Sequence, residues 1–135
     1  MKINAIIEKG VDGLYSIYSD QKISKHCFGG FGESVEIAKK DFEESIEEAK
    51  AMTLEECGTL PEQAKNITVE YKYDIPSFFN YFDCINVSKF AKMANINESK
   101  MRQYKCGKAF AGEKTTNKIL KEVKRIGEEL STATL

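Results

Sequence analysis

The sequence predicts an α+β chain of two modules: a β-β-β-α-β domain over residues 1–73 and an all-α domain over residues 74–135. Three observations lead there. Short runs of alternating or β-branched residues, bounded by turn chemistry, are confined to the first half. After Asp74 the apolar residues recur at three- and four-residue steps instead. The charge is also divided: residues 85–126 hold eleven Lys and Arg against three acids, a local net charge of +8, while the rest carries -9 and the whole only -1. A split of that size points to two modules facing different partners.

A first strand is expected over residues 2–9, where Ile3, Ile6 and Ile7 supply β-branched side chains. Gly10-Val11-Asp12-Gly13 then forms a tight turn, because Asp-Gly suits the positive φ of a hairpin, and residues 14–19 return antiparallel to the first strand. A third strand is expected over about 25–29, with Gly29, Gly30 and Gly32 read as a turn into the following helix. That helix is expected from Ser34, as N-cap, to Thr53. Val35, Ala38, Phe42, Ile46 and Ala49 form its apolar stripe; Glu36, Glu43, Glu44, Glu47 and Glu48 lie mainly off it, as a solvated face. Gly58-Thr59-Leu60-Pro61 is a loop, and residues 67–73 alternate as a fourth strand with one buried face. A single helix is thus expected to cover one face of the sheet.

Asp74-Ile75-Pro76 opens the all-α domain with a capping acid and a Pro in the first turn, and Phe78, Phe79, Tyr81 and Phe82 give this helix its packing surface. Residues 87–104 carry the most informative pattern. Phe90 and Ala94 are inward positions of one helix, and Ala91 is small where a second helix crosses. Asn95 falls at the turn, where a residue able to adopt the left-handed conformation is needed, and Ile96 plugs the turn into the core. Asn97 or Glu98 starts the second helix, with Met101 and Tyr104 facing inward. This spacing resembles the helix-turn-helix motif of bacterial repressors, and the local charge favours double-stranded DNA over an ordinary helix pair. The second helix is then expected in the major groove, with Asn97, Ser99, Lys100, Arg102 and Gln103 outward. Arg102 and Gln103 are the candidates for base reading, since Arg pairs with guanine and Gln with adenine. Ser88, Lys89, Lys105, Lys108 and Lys114 are candidates for holding phosphates.

A last helix is expected from Thr115 or Thr116, either of which would cap it and offer a hydroxyl to a phosphate. Its stripe of Ile119, Leu120, Val123, Ile126 and Leu130 is expected to pack on the first helices of the module. One such module reads only a few base pairs, so a homodimer or higher homo-oligomer on two half-sites is expected, with an affinity that falls steeply with salt.

Other chemistries find little support. No apolar run reaches the roughly 18 residues that cross a bilayer. Glu8 comes too early for a secretory leader, so a cytoplasmic protein is expected. Cys27, Cys57, Cys84 and Cys106 have no CxxC or Cys/His ligand spacing and are expected as reduced structural thiols. The cluster Gly29-Gly30-Phe31-Gly32 lacks both the Lys-Ser/Thr of a phosphate loop and the spacing of a dinucleotide fingerprint. Of the acids on the early strands, Glu8 stands alone, Asp12 is accounted for by its turn, and Asp20 lies past a strand end. With one His and no Ser/His/Asp set, no catalytic residue, metal or cofactor is expected, and the chain is not expected to be an enzyme.

The first strand, the Asp12-Gly13 turn, the strand Leu14 to Tyr18, the glycines before the helix and the helix from Ser34 to Ala49 together resemble the HicB-like antitoxin family. The resemblance covers most of residues 1–73. It implies a truncated ribonuclease-H-like domain followed by a DNA-binding domain, the first sequestering a small basic ribonuclease toxin of the HicA type and the second repressing the shared operon. The chain has Cys27-Phe28-Gly29-Gly30-Phe31-Gly32 where the family commonly has a Pro-Gly-Cys segment, and its residues 54–66 form a longer connection. The alternative expectation is a stand-alone transcriptional regulator whose first domain dimerises or senses a ligand.

Overall fold

The computed structural model describes all residues 1–135 as two compact units, Met1–Ser77 and Phe78–Leu135. The first carries nine basic and fifteen acidic residues, a net charge of -6, and the second carries +5. No helix is long and apolar enough to cross a membrane.

The first unit is α+β. Strands β1 (Lys2–Lys9), β2 (Tyr15–Tyr18) and β3 (Gly29–Gly32) precede helix α1 (Val35–Cys57), and β4 (Thr68–Tyr73) follows a short 3-10 turn at Glu62–Ala64. The sheet order is β3-β2-β1-β4, antiparallel except for the parallel pair β1-β4. Parallel pairing requires a crossover, and α1 supplies it. The register Ile3↔Val69, Ala5↔Tyr71, Ile7↔Ile17 and Ile17↔Gly30 puts Ile3, Ala5, Ile7 and Ile17 on one face, where they are buried. The α1 stripe of Val35, Ala38, Phe42, Ile46 and Ala49 completes that core, with the Phe42 ring edge-on to Phe28 and Tyr71.

Two expectations for this unit are corrected. The third strand is not at 25–29 but at Gly29–Gly32, so the glycines are the strand itself rather than a turn. Ser24 instead makes a left-handed turn (φ 55°) that brings Ile23 and His26 into an isolated bridge. The glycines are there for space: a Cβ on Gly30 would lie 2.4 Å from the Ala38 carbonyl oxygen and 2.5 Å from the Phe42 nitrogen, and one on Gly32 would lie 2.7 Å from the Ala38 nitrogen. Helix α1 therefore rests directly on the β3 backbone. The helix is capped by Ser34, whose hydroxyl accepts from the Ile37 N–H at 3.1 Å, as expected, but it runs on to Cys57 rather than Thr53. The buried Thr53 hydroxyl donates to the Ala49 carbonyl within the helix, and Gly58 ends it in the left-handed conformation.

All four cysteines are unpaired and exposed, so the thiols lie at the surface and are not structural core residues. The acids considered for chemistry have local duties. Glu8 accepts from the Tyr18 hydroxyl, and an Asp12 carboxylate oxygen accepts from the Leu14 N–H at 3.0 Å inside its turn.

In the second unit, α3 (Val87–Met93), α4 (Glu98–Cys106) and α5 (Glu113–Thr132) follow the end of α2 (Ile75–Tyr81). Of the four aromatics in and beside α2, only Phe79 is fully buried, with its ring 5.2 Å from that of Phe90. Phe78 packs on Phe79 and Phe82 at 5.0 and 4.9 Å between ring centroids, while Tyr81 and Phe82 lie at the surface. Phe90, Ala91 and Met101 are solvent-inaccessible or nearly so and form the centre of this small core.

Candidate nucleic-acid interface

The α3–α4 pair is built by local chemistry. Asn86 caps α3, its side-chain oxygen accepting from the Lys89 N–H at 3.0 Å. The helix ends in a Schellman arrangement: Asn95 adopts the left-handed conformation (φ 57°) and donates to the Lys92 carbonyl, and Ile96 donates to the Ala91 carbonyl at 2.8 Å. Asn97 caps α4 at once, accepting from the Lys100 N–H at 3.1 Å, so the connection occupies only Ala94 to Asn97. A second Schellman arrangement ends α4 at Gly107 (φ 76°), where Lys108 donates to the Gln103 carbonyl at 2.9 Å. Ala91 has no exposed surface where the two helices meet, Phe90 and Met101 fill the space between them, and Ile96 and Tyr104 are half-buried.

This packing fixes what α4 offers outward. Ser99, Lys100, Arg102 and Gln103 are all exposed. Asn97 is exposed too, but its oxygen is committed to the cap, which leaves its amide NH2 for an acceptor. The Arg102 guanidinium donates to the Ser88 hydroxyl at 3.3 Å, so a base-reading candidate and a phosphate-holding candidate touch across the helix pair. That bond steadies a long side chain without neutralising it.

The basic residues differ in whether they are spent. Lys92 pairs with Glu98 at 3.4 Å, and Arg125 bonds both Glu122 and Glu129. The Arg125 contact holds the Glu122 carboxyl below the usual carboxylate range, chiefly through the hydrogen bond. Lys89, Lys100, Arg102, Lys105, Lys108 and Lys114 take part in no ion pair. Lys89 lies in the first turn of α3, Lys105 half-buried in the last turn of α4, Lys108 just beyond it, and Lys114 in the first turn of α5.

Two expectations for α5 are corrected. It starts at Glu113 with Gly112 as N-cap and no side-chain cap, so Thr115 and Thr116 lie inside its first turn and do not cap it. Its stripe is only partly used: Ile119 is buried and Val123 and Ile126 half-buried, but Leu120 and Leu130 are exposed. A signal that sequence reading missed is Glu122, buried on the helix and held by Arg125 three residues later, a spacing that places both on one side of a helix.

No three His, Cys, Asp or Glu side chains are grouped so as to hold a metal ion. In the first unit, an open groove of about 880 Å³ lies between α1 and β4, lined by Ile46, Ile67, Val69 and Tyr71 and rimmed by glutamates of α1. The Tyr71 hydroxyl donates to Glu43 at 2.8 Å beneath that rim, and burial together with this carboxylate raises its pKa well above the usual tyrosine value. No protein-family model, curated protein or solved structure matches the chain.

Proposed function

We propose that the chain is a cytoplasmic DNA-binding repressor, and that the Phe78–Leu135 half carries a helix-turn-helix whose reading helix is α4. The observation that carries this reading is the α3–α4 pair: two helices joined by a four-residue connection through a left-handed Asn95, with Arg102 and Gln103 outward and Lys89, Lys100, Lys105 and Lys108 in no ion pair. In this reading Arg102 and Gln103 contact base edges, with Asn97, Ser99 and Lys100 beside them. Ser88, Lys89, Lys105, Lys108 and Lys114 hold phosphates, with Thr115 and Thr116 near the backbone at the start of α5. Two copies occupy two half-sites.

The first unit, with its net charge of -6 and its acidic groove, suits a basic protein rather than nucleic acid. It is proposed to hold a small basic ribonuclease, which makes the whole a HicB-like antitoxin that represses its own operon.

The test is a gel shift on the DNA upstream of the gene. Arg102→Ala/Gln103→Ala in a still-folded protein is expected to cost about 1–3 kcal/mol per lost base contact, with specific binding falling towards that for random DNA. Lys108→Ala is expected to weaken all sequences alike and to reduce the salt dependence by about one phosphate contact. Wild-type binding no tighter than to random DNA would sink the repressor reading.

A further inference from the structure

The two edges of the sheet are treated differently. At the β3 edge, the N–H groups of Gly29 and Phe31 point away from β2, and α1 satisfies both: Ser45 Oγ accepts from Gly29 at 3.0 Å and an Asp41 carboxylate oxygen from Phe31 at 2.9 Å. That edge is closed. At β4, Thr68 donates to the Met1 carbonyl at 3.0 Å and Asp74 to that of Ile7, so the even-numbered residues face β1. By strand alternation the backbone N–H and C=O of Val69 and Tyr71 face the other way, at the edge of the sheet, where no strand pairs with them. Exposed edges of this kind are templates for strand addition and are commonly blunted. This one is left open beside the groove.

The groove supplies the specificity that backbone bonds lack. Its floor is apolar, with Ile46, Ile67 and Val69, and its rim carries Glu43, Glu44, Glu47 and Glu48 against Lys40 and Lys50. Glu47 is paired with Lys50 at 3.1 Å, and Glu43 accepts from Tyr71, while Glu44 and Glu48 take part in no ion pair. Carboxylates one helical turn apart repeat every 6 Å or so along α1, and same-face side chains along an added strand repeat at about 6.6 Å. The two ladders nearly match.

We propose that the β4 edge and its groove seat an extended, lysine- or arginine-rich segment of a protein partner, added as a fifth strand with alternate basic side chains against the α1 glutamates. This rests on the reading that the first unit is the protein-holding half, and it names the surface and the chemistry of the partner. A second copy of the chain is the poorer occupant, because pairing β4 with itself brings like-charged rims together.

The probe is a synthetic peptide alternating Lys and Val, titrated into the isotope-labelled full chain beside one alternating Glu and Val. The basic peptide is expected to bind at least tenfold tighter, moving the Val69 and Tyr71 amides and slowing their hydrogen exchange. Val69→Pro removes an outward N–H without touching the β1 ladder and is expected to weaken binding tenfold or more. Glu44→Gln/Glu48→Gln, on the exposed face of α1, is expected to weaken it severalfold even if the proline variant does not fold. Equal binding of both peptides, amide shifts confined elsewhere, or a wild-type dimer in sedimentation that Val69→Pro dissociates would overturn the proposal. Undiminished capture of a basic ribonuclease by Val69→Pro would remove strand addition alone, whereas no capture by wild type would remove the antitoxin reading.

Discussion

The two units solve the same problem, bringing elements close together, by opposite uses of the backbone. In the first, Gly30 and Gly32 have unremarkable φ values and are needed because α1 lies where their Cβ atoms would be. In the second, Asn95 and Gly107 are needed for a left-handed φ that ends one helix and frees the chain to start again. The first kind of constraint comes from a distant element, the second from the residue's own torsions. A small residue in a sequence therefore does not announce which of the two it serves.

The largest effect that separates them is expected at Gly30. Gly30→Ala adds one methyl group against backbone atoms of α1, which have no rotamer to yield. Overpacking of this kind costs about 1–3 kcal/mol or more, and the roughly 0.4–1 kcal/mol that Ala gains by restricting the unfolded chain does not offset it. Urea unfolding followed by far-ultraviolet circular dichroism is expected to show a clear loss of stability. A change below about 0.5 kcal/mol would mean that α1 can shift off β3 and that the close approach is not needed.

This contrast also explains what was legible in the sequence. Asn95, a start of α4 at Asn97 or Glu98, and the inward Phe90, Ala91 and Met101 were readable because a turn between two helices is specified within a dozen neighbouring residues. The cap itself was resolved to Asn97 only by its bond to the Lys100 N–H. The α1 stripe from Val35 to Ala49 was readable for the same reason, since a helix face is a local period. The third strand was not, because Gly29–Gly32 has no side-chain alternation and becomes a strand only through pairing with β2 and contact with α1. Of the candidate site, the outward set on α4 follows from helix geometry. The Arg102–Ser88 contact spans fourteen residues and emerged only from the packing. Thr115 and Thr116 were misplaced because the actual cap, Gly112, three residues before Thr115, has no side chain to signal it beside two threonines. The open β4 edge had no sequence signal at all, since residues 67–73 alternate the same way at an edge or in the middle of a sheet.

A smaller effect is expected in the second unit. Asn95→Ala places a Cβ-bearing residue with no compensating side-chain polarity in the left-handed region, at a cost of about 1–2 kcal/mol. Asn95→Gly adopts the same φ without strain and is expected to stay within about 0.5 kcal/mol of the wild type. Thermal unfolding of the pair checks this, and the order Ala below Gly is the result to look for. Equal loss in both would show that the asparagine amide, not the torsion, holds the turn.

The smallest effect concerns a charge contact in the first unit. Glu56 Oε2 lies 3.1 Å from His26 Nε2 and 3.5 Å from Lys25 Nζ, and the His26 hydrogen bond does most to hold its carboxyl below the usual carboxylate range. A group with a depressed folded-state pKa adds stability above its unfolded value and loses it as pH falls through the folded one. The Glu56 side chain is substantially exposed, so solvent screens much of the effect. Wild type is thus expected to be slightly more stable than Glu56→Gln at neutral pH, with the gap closing as the solution is acidified through the carboxylate range. A gap that persists once the carboxyl is protonated would assign the difference to packing at the end of α1 and not to the ion pair.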